Sequence, residues 1–230
     1  MKRSIDIQGE NISSNCVKLP YEIDREYFIE PVDIQRKPFY NFLKRLFDIF
    51  FSIILIVLCL FPMVIIGILV KLTSKGPVFF TQSRLGLNGK KFSIIKFRSM
   101  VMDAEKDGAR WSDGDVDPRI TKFGSFLRKT RLDELPQLGC ILLGTMSFVG
   151  PRPERKIFYD AFESYIHGFS ERLKVKPGLT GYAQIKGGYY LKPEEKLAYD
   201  LEYIKRRSLW LDLEIFLKTV VVVIKRSGAK

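Results

Sequence analysis

Histidine and cysteine are almost missing from this chain. Cys16, Cys59 and Cys140 are too few and too scattered for a disulfide framework or a zinc site. Cys59 falls inside an apolar run and reads as a packing residue. His167 stands alone, so it builds no histidine metal cluster. No spacing gives it a triad role, and it reads as a surface residue. There is no Walker spacing, no internal repeat and no low-complexity tract. A secretory signal is missing too. The long apolar run starts deep in the chain and lacks a small-residue cleavage site. The soluble part is therefore expected to face the cytoplasm.

What the chain does have is the run itself, Ile49 to Val70, without a charge and with Pro62 inside it. About 22 such residues are long enough to cross a bilayer. Pro62 removes a backbone donor and crowds the preceding turn. Lys44 and Arg45 precede the run, and Lys71 and Lys75 follow it. Basic flanks tend to stay on the cytoplasmic side, which favours a helix that enters, bends at Pro62 and leaves on the same side. A spanning helix with a proline kink fits the same pattern.

The formal charge is +12. Residues 1–37 hold seven acidic and six basic side chains, so the excess lies in the remainder. Beside a membrane segment this charge fits anionic head groups or a pocket for a phosphorylated substrate. No nucleic-acid partner is expected. Residues 1–39 show no periodicity, although Phe28, Ile29, Pro31 and Val32 could dock on the body. Val78–Thr81 and Phe92–Phe97, separated by Asn88-Gly89, read as a hairpin. Residues 103–119 are loop-like. Helical patterns start at Thr121 and near Leu132 to Pro136, and cover 193–207 and 209–226. The last pattern fits an interfacial amphipathic helix and a core helix alike.

Four segments could carry chemistry. Asp133 and Glu134 follow three basic residues and precede Pro136, which suits a helix start. There the dipole would keep both ionised. Pro151 and Pro153 stiffen the chain around Arg152, whose guanidinium could grip a phosphate with two hydrogen bonds. Gln82, Arg84, Gly86, Gly89 and Lys91, then Lys96 and Arg98, could cradle phosphates near the hairpin. Lys176-Pro177-Gly178-Leu179-Thr180-Gly181 could equally be a structural turn.

Together these segments resemble the bacterial sugar transferase family, the monotopic phosphoglycosyl transferases. The likeness runs from about Lys44 to Lys225. It rests on the apolar segment with its proline, GPVFFTQSRLGLNGKKFSIIKFRSM, DPRITKFGSFLRKTRLDELPQL, GTMSFVGPRP, KPGLTGYAQIKGG and SLWLDLEIFLKT. The resemblance implies an α+β, mainly helical fold. It has an N-terminal re-entrant membrane helix broken at Pro62, a small β-hairpin and amphipathic interfacial helices. Residues 1–39 would be an extension, 40–73 the membrane-inserted segment and 74–230 a cytoplasmic catalytic domain.

The implied activity is transfer of a phosphosugar from a UDP-sugar to polyprenyl (undecaprenyl) phosphate on the cytoplasmic face of the bacterial inner membrane, starting a lipid-linked glycan. UMP would leave, and a covalent phosphosugar–aspartyl enzyme would form on Asp133. The implied cofactor is Mg²⁺, held by Asp133 and Glu134. Arg128, Lys96, Arg98, Pro151, Arg152 and Pro153 would contact the phosphates. Membrane lipids are implied partners, and a homo-oligomer is left open. The rivals are a membrane-anchored, Mg²⁺-dependent nucleotide-sugar hydrolase and a non-enzymatic membrane module. Four positions depart from the family pattern: Phe61 stands where serine is usual, Cys140 where asparagine is, Thr145 where an acidic residue is, and Gly188 where arginine is.

Overall fold

The computed structural model describes Ile23, residues 25–106, 117–188 and 191–224. Chain order is β1 (Tyr27–Phe28), α1 (Pro38–Thr73), β2 (Phe79–Leu85), β3 (Lys91–Phe97), α2 (Lys122–Lys129), α3 (Leu138–Leu143), β4 (Ser147–Val149), α4 (Lys156–Glu163), β5 (Ile166–His167), β6 (Gly178–Thr180), α5 (Tyr182–Lys186), α6 (Pro193–Arg206) and α7 (Leu209–Ile224). The fold is α+β and mainly helical, as the resemblance implies. Residues 107–116, most of the acidic loop, lie outside the described residues.

α1 is 36 residues long, about 54 Å at 1.5 Å per residue. Pro62 lies inside it. Its nitrogen cannot donate to the carbonyl one turn back, so the hydrogen-bond ladder is interrupted there. One face of α1 lies on the body. In the first half, Asp48 accepts from Ser147 Oγ at 3.1 Å and from the Phe148 backbone N–H at 3.0 Å. Arg45 donates to the Ile141 and Leu142 carbonyls at 2.7 and 2.8 Å, closing the end of α3. In the second half, Ile66 and Val70 are buried with Phe97 and Leu127. The opposite face shows Phe39, Phe42, Leu46, Phe50, Ile53, Val57, Phe61, Val64, Ile68 and Leu72 to the outside. Steps of three and four residues make this one apolar stripe along the helix.

α7 packs on the core with one face, as its core reading expects, and leaves the other exposed. Leu211 and Ile215 are buried, and Phe216 meets Phe47, Phe51 and Phe148 ring to ring. Trp210, Leu217 and Val221 face outward. Asp212 ties three helices together. Its carboxylate accepts from Tyr40 and Lys44 of α1 at 2.8 Å each, and from Tyr203 of α6 at 2.8 Å.

β2 and β3 form the expected antiparallel hairpin, with Phe80 opposite Lys96. Asn88 and Gly89 turn it with positive φ. β4 and β6 pair in parallel, bringing the turn at 176–181 against the one at 150–153. The segment before α1 is strapped to the body. β1 pairs in parallel with β5, Val32 is buried, and its backbone N–H donates to Glu171 at 2.6 Å. His167 is stacked on Phe28 and lies 3.2 Å from Glu26, part of this strap.

Candidate active site

Arg131 takes a left-handed backbone, φ 60°, and turns the chain after α2. The residues that follow, Leu132–Gln137, form a 3₁₀ turn leading into α3. Asp133 and Glu134 sit in that turn rather than at an α-helix start, and both are buried. β3 packs across it and delivers Lys96. Lys96 Nζ and Arg152 NH2 each lie 2.6 Å from Glu134 Oε1. Asp133 accepts no hydrogen bond from the described residues.

These surroundings split the two carboxyls, against the expectation that a helix dipole would hold both low. Burial pushes the Asp133 carboxyl up, against the pull of Lys96 and helped by the Glu134 charge. Burial acts on Glu134 in the same direction, but Arg152 and Lys96 overcome it and hold that carboxyl well below its usual range. Neighbouring carboxyls driven apart in this way take different parts in a reaction.

The pair opens on a cavity of about 870 Å³. Eight arginines and four lysines line it, against six carboxylates. The excess of cations suits a diphosphate. Arg128, on α2, lines the cavity and, among the described residues, donates only its Nε, to Ser99 Oγ at 2.9 Å. Arg152 is held by its neighbours. The Pro151 carbonyl accepts from the Gly178 N–H at 2.9 Å, and the Arg152 carbonyl accepts from Arg172 at 3.1 Å. The turn at 176–181 is therefore the support of the Pro-Arg-Pro loop. Arg98 also lines the cavity, but its guanidinium donates at 2.8 Å to the Ser74 carbonyl and hydroxyl. It clasps the end of α1 and makes no hydrogen bond to the dyad.

Sequence reasoning missed the back wall. Arg172 and Asp200 form an ion pair at 2.6 Å, both all but fully buried. Arg84, named above as a residue that could cradle phosphates, lines the cavity but pairs with Glu154 at 3.0 Å, a partner the sequence did not indicate. None of these shares a motif with its partner, so spacing carries no sign of them. Asp48 did leave a sign, as a lone carboxylate at the threshold of the apolar run. Of the departures from the family pattern, Gly188 lines the cavity. The Thr145 hydroxyl donates to the Cys140 backbone carbonyl at 3.0 Å at the end of α3, and Phe61 is exposed on the outer stripe.

The donor set fits Mg²⁺. That ion binds through one or two carboxylates, with phosphate oxygens and water completing six positions. Asp133 has both oxygens uncommitted among the described residues, and Glu134 has engaged Oε1. No group of three or more metal-binding side chains gathers among the described residues.

Residues 39–226 match the family model for bacterial sugar transferases. Over 197 residues, 84% of the chain, it is 42% identical to the UDP-N-acetylgalactosamine-undecaprenyl-phosphate N-acetylgalactosaminephosphotransferase of Aeromonas hydrophila, covering 46% of that protein. Over 183 residues, 77% of the chain, it is 45% identical to the UDP-glucose:undecaprenyl-phosphate glucose-1-phosphate transferase of Klebsiella pneumoniae, covering 39% of it. Over 204 residues, 82% of the chain, it is 40% identical to the undecaprenyl-phosphate galactose phosphotransferase of Salmonella typhimurium, covering 42% of it. The chain thus spans less than half the length of these relatives. On the match over 39–226, and on identities of 40% or more across most of its length, the chain belongs to the bacterial sugar transferase family.

Proposed function

We propose that this protein transfers a sugar phosphate from a UDP-sugar to a polyprenyl phosphate at the cytoplasmic face of the bacterial inner membrane. The observation that carries the reading is Asp133. It is a buried carboxylate without a hydrogen bond among the described residues, facing a cation-lined cavity beside a neighbour pinned by two cations. Relatives named for N-acetylgalactosamine, glucose and galactose resemble it about equally, so the donor is assigned only as a UDP-sugar.

In the first step an Asp133 oxygen attacks the β-phosphorus of the UDP-sugar. The bond from that phosphorus to the bridging oxygen breaks, and UMP leaves with the oxygen and its electron pair. A phosphosugar–aspartyl enzyme remains. In the second step a phosphate oxygen of the lipid attacks the same phosphorus. Asp133 is released as a carboxylate, and a polyprenyl diphosphate sugar is formed. Two anions must meet in each step, so the site has to lower their repulsion. Arg128 and Arg152 face the phosphates, and Lys96 holds Glu134 charged and fixed. Mg²⁺, held by Asp133 and Glu134 with the phosphate oxygens, would supply further charge neutralisation when bound.

The same reading makes α1 a re-entrant helix. A spanning helix leaves the soluble domain from one end only. Here Arg45 and Asp48 near one end and Ile66 and Val70 near the other all touch one domain. The outer stripe is then the face turned to lipid, and the basic residues at both ends stay on the cytoplasmic side.

The test is UMP release by detergent-solubilised protein with Mg²⁺ and a panel of UDP-sugars, with polyprenyl phosphate present or left out. Sustained release that requires the lipid supports the transferase. Sustained release without lipid would replace it with a nucleotide-sugar hydrolase. Asp133→Ala should abolish turnover while membrane association persists. Intact protein mass should show a phosphosugar adduct after exposure to the donor alone, absent from Asp133→Ala. Near wild-type turnover in that variant would remove Asp133 from the nucleophile's role.

A further inference from the structure

The cavity is not cationic all round. On the side of the hairpin its lining turns apolar, with Phe79, Phe80, Val101 and Met102. All four side chains are exposed, Phe80 by 41% and Met102 by 60%. Exposed aromatic and thioether surface is costly in water and contiguous apolar patches mark contact sites. Its position is specific at both ends. Toward the chemistry, Phe80 stands directly opposite Lys96 in the hairpin register, and Lys96 is the residue that holds Glu134. Toward the membrane, Phe79 stacks on Phe97 at 5.3 Å. Phe97 is buried together with Ile66 and Val70 of α1. Arg98 joins the two sides. One guanidinium nitrogen bonds the Ser74 carbonyl and hydroxyl just past α1, and another reaches Met102 Sδ at 3.7 Å. Phe79 and Phe80 point to opposite faces of the ribbon, and both line the cavity, so its apolar rim meets the membrane helix through Phe79 and the dyad through Phe80.

We propose that this rim carries the first isoprene units of the acceptor lipid. The tail lies over Phe79, Phe80, Val101 and Met102, with the lipid's phosphate held by Lys96 and Arg128. The proposal rests on the transferase reading and adds to it the path by which the lipid reaches Asp133. The occupant follows from the two ends of the path. A ligand that bridges a cationic pocket and an apolar surface joined to a membrane helix needs an anionic head on an apolar chain. A UDP-sugar has the head without the chain. On this path Arg98 is a positioning residue. It fixes Met102 and the end of α1 relative to each other.

The experiment uses a polyprenyl phosphate bearing a diazirine on its first isoprene unit, mixed with the detergent-solubilised full chain and photolysed. Tryptic peptides 76–84 and 99–106 should carry the label, and unmodified polyprenyl phosphate should compete it away. Labelling confined to α7 or to the outer stripe of α1 would overturn the proposal, whether or not the protein turns over. Kinetics give the second arm. Phe80→Ser together with Met102→Ser should raise KM for polyprenyl phosphate by about tenfold or more, the factor expected from lost apolar burial. KM for the UDP-sugar should move less than twofold, and Phe80→Leu should restore the acceptor KM. Equal rises in both constants would mean a general disturbance of the site and would overturn it. Failure of the transferase reading is seen separately, as wild-type protein that gives no lipid-dependent UMP release.

Discussion

Asp133 and Glu134 are consecutive residues held in opposite electrostatic states, and this division makes predictions at the level of single side chains. Asp133 must be ionised to attack phosphorus. Burial pushes its carboxyl up, so turnover should fall on the acid side at a higher pH than an ordinary aspartate would give. Lys96 opposes that rise, and Lys96→Met should move the acid limb of the pH–rate profile further up. A limb that stays in place would separate Lys96 from the titration of Asp133. The back wall offers a stability prediction. Arg172 and Asp200 pair at 2.6 Å in full burial, and burial pushes Asp200 up to about 6 even beside that guanidinium. Arg172→Met strands the carboxylate and should cost about 3 to 5 kcal/mol at neutral pH. Part of the loss should return on acidification. A carboxyl whose folded pKa lies above its unfolded value binds its proton more tightly when folded, so stability rises as pH falls through the folded pKa. Urea denaturation at pH 7.5 and pH 5.5 checks both signs. The dyad and Arg152 were legible in the sequence because each lies in a short motif. The Arg172–Asp200 pair was not, because 28 residues and two elements separate its members.

At the scale of elements, the parallel pairing of β4 with β6 sets the position of Arg152. The Gly150 N–H donates to the Thr180 carbonyl, and the Gly178 N–H to the Pro151 carbonyl, both at 2.9 Å. A Cβ on Gly178 would stand 2.1 Å from the Gly150 nitrogen, a backbone atom with no room to give way. Gly178→Ala should therefore spread the two turns and carry Arg152 off Glu134. The expected reading is a loss of turnover of about a hundredfold, the cost that a small misplacement imposes on a preorganised site, while membrane association is kept. Unchanged turnover would show that the backbone contact does not position Arg152. The sequence made the hairpin plain through Asn88-Gly89, and it marked both glycine turns without showing that they meet. It misled over the dyad. Pro136 and two carboxylates read as a helix start, but Arg131 in the left-handed region turns the chain first. The result is a 3₁₀ turn that α2 and β3 bury. The strap at 27–32 also escaped a firm reading, since two-residue strands such as β1 and β5 have no periodicity of their own.

For the whole molecule, the central matter is how a helix of about 54 Å meets a hydrocarbon layer of about 30 Å. Composition could not decide it, because a run of apolar residues with a proline suits a kinked span and a re-entrant bend equally. The re-entrant bend proposed above rests on tertiary contacts. Asp48 and Val70 are 22 residues apart in α1, yet both are buried against the same domain. A helix crossing the bilayer would put about 33 Å of axis between those contacts, one on each side of the membrane. Both ends of α1 should then report from one side. Cysteines introduced one at a time at Asn41 and Lys75, both exposed, can be placed in a background with Cys16 and Cys59 replaced by alanine and the buried Cys140 kept. In right-side-out and inverted membrane vesicles, a membrane-impermeant maleimide should label both positions in the inverted preparation and neither in the other. Labelling of one position in each preparation would mean a span and would remove the re-entrant reading. The lipid path over Phe80 and Met102 depends on the same geometry. The hairpin that carries Phe80 packs on the second half of α1, so that half must lie at the face from which the catalytic domain works. A spanning α1 could keep Val70 at that face only by carrying Asp48 to the far side of the membrane, about 33 Å along the axis, which would break its hydrogen bonds to Ser147 and Phe148.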